Sequence, residues 1–359
     1  MSAHRKHPSP TSARQAGFSL IELMVALVLG LVVVGGVINI FLTNQQASRS
    51  NEDLGRLQES SRLSFELMAR EIRQAGGNPC GALVTANVLN NAENLWWANW
   101  DPRGTLEGFD AGVEATGIVA IGNAEGERTN NSSAIRVLSG GMFDGVPITG
   151  HNPATGVVSL ATTNHGFVEG DYVVICDGET AAIAQVTASS AAGVGSITHG
   201  LGGEVIAGPG VVGRPGNCSS ELAFPSGLNC ASSVPKTFAA GGYVTRYSAS
   251  TWYVGNNARG GTSLFRIGPN DVAPVEVTDG VTNMTIEYLT MSPPPAGIAA
   301  DWVNAAAIGA WVPTAVAPAA VVAVRLQLDM QSLNNTGTDQ APLRRQLIHV
   351  VNLRNRAAP

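Results

Sequence analysis

A single carboxylate, Glu22, lies inside the longest apolar run of the sequence. The run extends from Phe18 to Leu42, and Glu22 is its only charged residue. A glutamate in an apolar environment is costly unless it is neutralised or paired, so it marks a functional position by default. We therefore expect the Glu22 carboxylate to be either neutralised or paired.

The other residues with catalytic potential form no recognisable constellation. There is no G-x-S-x-G elbow, no P-loop and no H-E-x-x-H pattern. Several aspartates lie near turn residues, where turn capping is their default role, and they lack the spacing of a calcium loop. We therefore expect no catalytic residue, no metal site, no cofactor and no enzymatic activity. The scattered histidines are His4, His7, His151, His165, His199 and His349, and the aspartates are Asp101, Asp110, Asp171, Asp177 and Asp279.

Four cysteines follow the apolar run, namely Cys80, Cys176, Cys218 and Cys230, and no pair has C-x-x-C spacing. An even number on the exported side of a membrane predicts up to two disulfides, for which three connectivities exist. Cys218 and Cys230 flank a short Pro/Gly loop, which favours them as a local pair and leaves Cys80 with Cys176. Buried free thiols are the alternative.

The apolar run is long enough to cross a membrane. It has 25 residues, and a spanning helix needs about 20. Basic residues precede it and none follows directly, which places the N-terminus in the cytoplasm. A secretory signal peptide would have a shorter apolar core and an A-x-A-like site, which the following residues 43–50 lack. A plain signal anchor fits the length but does not explain Glu22.

The helical pattern continues beyond the apolar run as a stripe at spacings of three and four residues, and the chain has no proline between Phe18 and Gln74. Gly76, Gly77 and Pro79 supply the stop. One helix of about 57 residues would be about 85 Å long. Its second half is expected to lie against its own head domain. The stripe consists of Leu54, Leu57, Ser61, Phe65, Met68 and Ile72.

From Cys80 onward, short alternating or apolar runs separated by turn residues predict a β-rich region. The clearest strand is Val321–Met330, and the polar loop Ser332–Arg344 connects it to an antiparallel partner at Gln346–Leu353. We expect long loops over Ala181–Gly210 and Ser292–Ala319. Further strands are predicted at Ala134–Leu138, Tyr172–Cys176, Tyr243–Tyr247, Thr251–Val254, Ser263–Ile267 and Met284–Leu289.

These elements predict an α+β fold, in which a long N-terminal transmembrane and assembly helix packs on a C-terminal antiparallel β-rich head domain. The expected domains are a leader over residues 1–17, the helix over 18–76 and the head over 77–359. The net charge is −6, and the leader carries three basic residues, so a chain without it is more acidic still. Nucleic acid is therefore not an expected partner.

The residues Gly17 to Glu22, GFSLIE, resemble the prepilin peptidase site of type IV pilins and type II secretion pseudopilins. The resemblance implies cleavage after Gly17, which would make Phe18 the first residue of the mature chain, usually N-methylated. It also implies that the Glu22 carboxylate meets the N-terminal ammonium of a neighbouring subunit. Two charges that are each costly in an apolar filament core would offset one another only when the subunits are in register.

The C-terminal segments resemble the closing strands of PilW-type minor pilins: VVAVRLQLDM from Val321, the segment ending at Arg356, and the preceding segments from Gly261 and Val275. This resemblance implies a structural minor pilin that helps to initiate type IV pilus assembly near the tip. Its implied partners are prepilin peptidase, other major and minor pilins, and a possible tip adhesin. The chain would reside in the inner membrane, with a cytoplasmic N-terminus, before joining the extracellular pilus.

Two alternatives accompany this interpretation. The chain could be a type II secretion pseudopilin of the J type, although a head of this size is large for that role. The head could instead be a pilus-tip adhesin module that uses a tryptophan cluster, Trp96, Trp97 and Trp100, as its contact surface. A loop packed on the head is the simpler interpretation of that cluster.

Overall fold

The computed structural model describes most of the chain, with gaps. The described residues are 17–81, 83–99, 104–141, 144–189, 195–209, 211–224, 230–292, 297–308, 311, 320–337 and 339–353. The chain divides into two compact units, Met1–Asp53 and Leu54–Pro359.

The predicted helix is confirmed as α1, Leu20–Arg73. It ends where the sequence predicts, because Gly76 adopts a φ of +76°, which glycine tolerates best. A Cβ atom at this position would lie 2.7 Å from Oγ1 of Thr105. The Gly76 N–H also donates to the carbonyl of Leu138 at 2.9 Å, so the turn after the helix is fixed against the β-rich region.

The strands of the β-rich unit form three sheets, and the expected α+β class is confirmed. In chain order the strands are β1 (Leu83–Asn87), β2 (Leu106–Phe109), β3 (Ala134–Ser139), β4 (Val146–Asn152), β5 (Val157–Leu160), β6 (Tyr172–Cys176), β7 (Thr180–Gln185), β8 (Ala188–Ser189), β9 (Ser196–Thr198), β10 (Tyr243–Arg246), β11 (Ser248–Asn256), β12 (Thr262–Ile267), β13 (Val275–Asp279), β14 (Val281–Ser292), β15 (Gly297–Ile298), β16 (Ala320–Gln331) and β17 (Arg344–Asn352).

The C-terminal sheet has the order β15-β14-β16-β17. Strand β16 alternates between buried and half-buried residues along most of its length, as the period of two in its sequence predicts. It pairs antiparallel with β17, so that Leu328 lies opposite Leu347. The predicted hairpin of these two strands is therefore confirmed.

The second half of α1 packs on the C-terminal sheet and on a second sheet of order β13-β12-β11-β3-β2. The predicted apolar stripe provides this face: Met68 and Ile72 are completely buried, and Phe65 nearly so. Trp252 and Leu328 belong to the same core cluster. The hydroxyl of Ser64 lies 2.8 Å from that of Thr278 on β13, which satisfies both buried polar groups.

The third sheet has eight strands in the order β1-β7-β6-β10-β4-β5-β9-β8. Part of it corrects the sequence prediction, because the tract Ala181–Gly210, expected to be a loop, contains most of β7 and all of β8 and β9. Residues 181–185 of β7 are all buried, and small alanines fit that position without showing any alternation.

Strand direction also differs in one place from the expected all-antiparallel pairing. Strand β1 pairs parallel with β7, whereas the other pairs of strands in the described part of the chain are antiparallel.

The second expected loop, Ser292–Ala319, lies partly outside the described residues. Its described part contains β15 and a short 3-10 helix at Ala305–Ala307.

Candidate functional site: the start of the helix and its surroundings

The first turn of α1 is closed by a reciprocal pair of hydrogen bonds between Ser19 and Glu22. The Ser19 N–H donates to Oε2 of Glu22 at 3.0 Å, and the Glu22 N–H donates to Oγ of Ser19 at 3.3 Å. This is the capping box S-x-x-E, with Ser19 as the N-cap. This cap was not among the features predicted above, although serine followed three residues later by glutamate is its signal.

Gly17 and Phe18 lie just before this cap. Both are exposed and belong to neither a helix nor a strand. The peptide bond between them is therefore on accessible, non-helical backbone, the kind of segment that proteases cut. The rest of the expected leader, residues 1–16, lies outside the described residues.

The helix surface between Phe18 and Leu42 is apolar on all sides and exposed within its own unit. Phe18 is 88% exposed and Leu31 is 72% exposed. The helix is long and apolar enough to cross a membrane, with a mean hydropathy of 2.7 over its most apolar window. A helix that is apolar all round is normally covered by lipid or by other helices.

Two polar side chains near the end of this apolar stretch donate hydrogen bonds inside the helix. The amide of Asn39 donates to the carbonyl of Gly35 at 3.2 Å, and the hydroxyl of Thr43 donates to the carbonyl of Asn39 at 2.9 Å. Each side chain donates to a carbonyl of the preceding turn, which lowers the cost of placing it in apolar surroundings. These residues are compatible with apolar surroundings.

In the second unit, Glu71 anchors the last turn of α1 to strands β11 and β12. Its Oε2 accepts a hydrogen bond from Nε1 of Trp252 at 2.6 Å and another from the hydroxyl of Ser250. Its Oε1 accepts from Nε of Arg266 at 3.0 Å. Three side chains from two strands therefore converge on one carboxylate of α1, which no local pattern in the sequence predicted.

The four cysteines form two disulfides, Cys80 with Cys176 and Cys218 with Cys230. The Cα atoms are 6.0 Å apart in the first pair and 6.1 Å apart in the second, both within the usual range. The first pair links the segment just after α1 to β6 across 96 positions of sequence. The second closes a loop of 12 positions.

The two described tryptophans of the cluster, Trp96 and Trp97, do not form an exposed surface. Trp97 is only 6% exposed, and its ring centre lies 4.4 Å from that of Tyr172. The Tyr247 hydroxyl donates to the Trp97 carbonyl. Trp96 is half-buried, and Trp100 lies outside the described residues. Trp97 is therefore not available as a contact residue for the adhesin hypothesis, because its side chain is packed in the head.

The predicted turn role is confirmed at Asp177, at Asp171, which accepts from the Val168 N–H at 3.0 Å, and at Asp279, which accepts from the Gly280 N–H at 2.7 Å. The Asp177 carboxylate accepts from the N–H groups of Glu179 and Thr180, both at 2.9 Å. Asp110 accepts from the N–H groups of Ala305 and Ala306 at 3.0 and 2.8 Å, where it caps a short helical turn. Asp101, like His4 and His7, lies outside the described residues.

The structure places the remaining ionisable candidates in different surroundings. Among the described residues, no group of three histidines, cysteines or carboxylates is arranged to hold a metal ion. His151 and His199, which are 48 positions apart, face one another with their Nε2 atoms 2.9 Å apart. His349 lies on β17, with its ring centre 5.3 Å from that of Phe65. Burial and the nearby Arg73 lower the pKa of His349.

Comparison with known proteins finds one match, at the start of the chain. A family model, the prokaryotic N-terminal methylation motif, matches residues 12–38, which include Gly17, Phe18, Ser19 and Glu22. No curated protein and no solved structure matches the chain. The chain therefore carries a type IV pilin-like prepilin signal, which supports the pilin and pseudopilin class and processing by prepilin peptidase.

Proposed function

We propose that this chain is a structural minor pilin of the PilW kind. In this proposal prepilin peptidase cleaves after Gly17, the new amino group of Phe18 is methylated, and the chain then enters a type IV pilus near the tip. The main observation in support of this proposal is the methylation motif at residues 12–38. The motif overlaps the start of a helix that is apolar on all sides.

In the assembled pilus, packing against neighbouring helices would keep this apolar surface out of water, and such burial contributes about 25 cal/mol per Å². Before assembly, lipid would cover the same surface, so the helix serves as both anchor and assembly element. In this proposal neighbouring helices replace the lipid contacts when the subunit leaves the inner membrane.

Glu22 would set the register of neighbouring subunits. The capping box occupies Oε2 of its carboxylate with the Ser19 N–H, and a carboxylate has capacity for about four hydrogen bonds. The cap therefore leaves room for a cation without breaking the first turn. The ammonium formed at Phe18 by cleavage is a partner of the right charge, supplied by a neighbouring subunit.

The narrower assignment to the minor pilins rests on the C-terminal strands. The resemblance to PilW-type proteins lies in the sequences of β12, β13, β14, β16 and β17. Its last residues, 354–356, are outside the described part of the chain. These strands build the sheet and the core on which the second half of α1 packs, so the proposal assigns them a structural role.

The first experiment tests processing. The full-length chain is expressed in cells that contain prepilin peptidase, and its intact mass is measured. The expected mass is that of residues 18–359 plus one methyl group. Gly17→Glu should leave the precursor intact, while the matched control Gln15→Ala should be processed normally. Normal processing of Gly17→Glu would overturn the prepilin assignment.

The second experiment separates the minor pilin from a type II secretion pseudopilin of the J type. Pili are sheared from cells and analysed for this chain by quantitative mass spectrometry. A minor pilin should be present in small amounts relative to the major subunit, and deletion of its gene should reduce piliation. If deletion instead blocks protein secretion and leaves pili unchanged, the pseudopilin assignment replaces this proposal.

A further inference from the structure

Strand β17 is the last strand of its sheet, and no other strand in the described part of the chain pairs with its second edge, called the open edge below. Alternate residues along β17 form hydrogen bonds with β16. At the two ends of this pair, the Leu353 N–H donates to the Val322 carbonyl, and the Leu343 carbonyl accepts from the Ser332 N–H. Backbone groups of an antiparallel strand alternate between its two sides. The backbone groups of the intervening residues therefore face the open edge. These residues are Arg344, Gln346, Ile348, Val350 and Asn352.

The side chains of the same residues point away from the core. Ile348 and Val350 are 59% and 46% exposed, whereas Val351, on the opposite face, is buried. Proteins normally protect sheet edges by bulges, prolines, short strands or a covering element, because an open edge is a template for another strand. A nine-residue edge strand with exposed isoleucine and valine has the properties of a docking surface.

The beginning of β17 adds a site for negative charge. A cavity of about 500 Å³ adjoins it, and its lining includes Asp329, Arg344, Arg345 and Gln346. Asp329 already accepts hydrogen bonds from Gln346 at 3.1 Å and from Asn283 at 3.4 Å. Among the described residues, neither arginine is in an ion pair. Two exposed guanidinium groups are thus available on a chain whose net charge is −6.

We propose that the open edge of β17 binds an extended segment of another protein as an added antiparallel strand. Antiparallel pairing brings the C-terminal end of the added strand next to the beginning of β17. An acidic side chain or a terminal carboxylate at that end would enter the cavity and pair with Arg344 and Arg345. Apolar side chains at alternate positions of the segment would cover Ile348 and Val350.

A second copy of β17 does not fit this description. The strand Arg344–Asn352 contains no acidic residue, so an added β17 would leave both guanidinium groups without a partner. The favoured occupant is therefore a heterologous segment with alternating apolar residues and an acidic C-terminal end. This inference is independent of whether the chain enters a filament, because it rests only on the head.

The test uses the full-length chain in detergent and a labelled peptide, Thr-Val-Thr-Val-Thr-Asp, with a free C-terminal carboxylate. Fluorescence anisotropy should show saturable binding that weakens as salt increases. The double variant Arg344→Glu, Arg345→Glu should weaken binding by roughly tenfold or more. The double variant Arg56→Glu, Arg62→Glu makes the same charge change on α1 and should bind the peptide as the wild type does.

A second variant tests the backbone pairing. Ile348→Pro removes an N–H group that faces the open edge and leaves the hydrogen bonds to β16 in place, so it should reduce binding by roughly tenfold or more while the thermal unfolding midpoint changes little. Ile348→Thr keeps the N–H group and should retain most of the binding. A peptide with Asn in place of Asp and an amidated end should bind weakly.

Three results would overturn the proposal. The first is the absence of saturable binding to the wild-type chain. The second is binding that neither Ile348→Pro nor the arginine variant alters. The third is self-association of the wild-type chain in analytical ultracentrifugation that Ile348→Pro abolishes, which would make this edge an interface between two copies.

Discussion

His151 and His199 form a hydrogen bond with each other inside the head. Their Nε2 atoms are 2.9 Å apart, and Nδ1 of His151 accepts a hydrogen bond from the Phe238 N–H at 3.1 Å. The His151 proton must therefore be on Nε2, which donates to Nε2 of His199. This arrangement holds only while both rings are neutral, because a protonated histidine has an N–H on both ring nitrogens and could no longer accept. His199 is also completely buried.

We expect the head to lose stability as the pH falls from about 6.5 to about 4. Burial lowers the pKa of His199 to about 4 and also lowers that of His151. The unfolded chain binds these protons first, so the contribution is complete above the unfolded pKa and is lost as the pH falls towards the folded pKa. A shift of this size corresponds to about 3 kcal/mol. Urea unfolding at several pH values measures it.

Matched variants distinguish this pair from the general acid response of the protein. His199→Gln should flatten the pH dependence between about pH 6.5 and 4. His165→Gln changes a half-buried histidine that stacks on Phe167 and should leave the wild-type profile in place. An unchanged profile in His199→Gln would contradict the assignment.

Removal of the Glu71 carboxylate should detach the last turn of α1 from the second sheet. Glu71→Ala leaves Nε1 of Trp252 and Nε of Arg266 without the acceptor that they have in the wild type, and we expect a loss of about 2–4 kcal/mol in the free energy of unfolding. Glu66→Ala is the control, because its pair with Arg62 is largely exposed, so solvent screens it and its loss should change the free energy of unfolding very little. Equal effects of the two variants in chemical denaturation would refute the anchor.

The capping role and the charge of Glu22 can be separated. Glu22→Gln keeps a side-chain oxygen for the Ser19 N–H, since glutamine also serves in a capping box, but it removes the negative charge. We expect normal membrane insertion and cleavage, with incorporation into sheared pili reduced by roughly tenfold or more. Ser19→Ala removes one capping bond and should have a smaller effect. Full incorporation of Glu22→Gln would show that the cap, and not the charge, is what matters.

The two disulfides should differ in their contributions to stability. The Cys80–Cys176 bond closes the longer loop, and loss of such a loop costs about 4–5 kcal/mol in the chain-entropy model, against about 3 kcal/mol for a loop the size of Cys218–Cys230. Paired serine variants of each bond, unfolded in denaturant, measure this order. Peptide mapping without reduction should recover these two linkages, and a different connectivity would rule out the pairing.

Local patterns in the sequence determined the elements that a single segment can specify. The apolar run before Leu42 and the stripe through Phe65 and Met68 predicted α1, and Gly76 marked its end. The alternation in β16 predicted a half-buried strand and its hairpin with β17. The capping box at Ser19 and Glu22 was also present in the sequence and could have been predicted. Each of these signals consists of residues that lie within a few positions of one another in the sequence.

Only the tertiary structure decided the features that depend on distant residues. Strand β7 has no alternation, because both its faces are buried, and its parallel pairing with β1 is set by the sheet. Glu71 meets Trp252 and His151 meets His199 because separate elements pack together there. Burial of Trp97 likewise depends on Tyr172. A local pattern records which face of an element is apolar, whereas the partner of that face is fixed by contacts between distant segments of the chain.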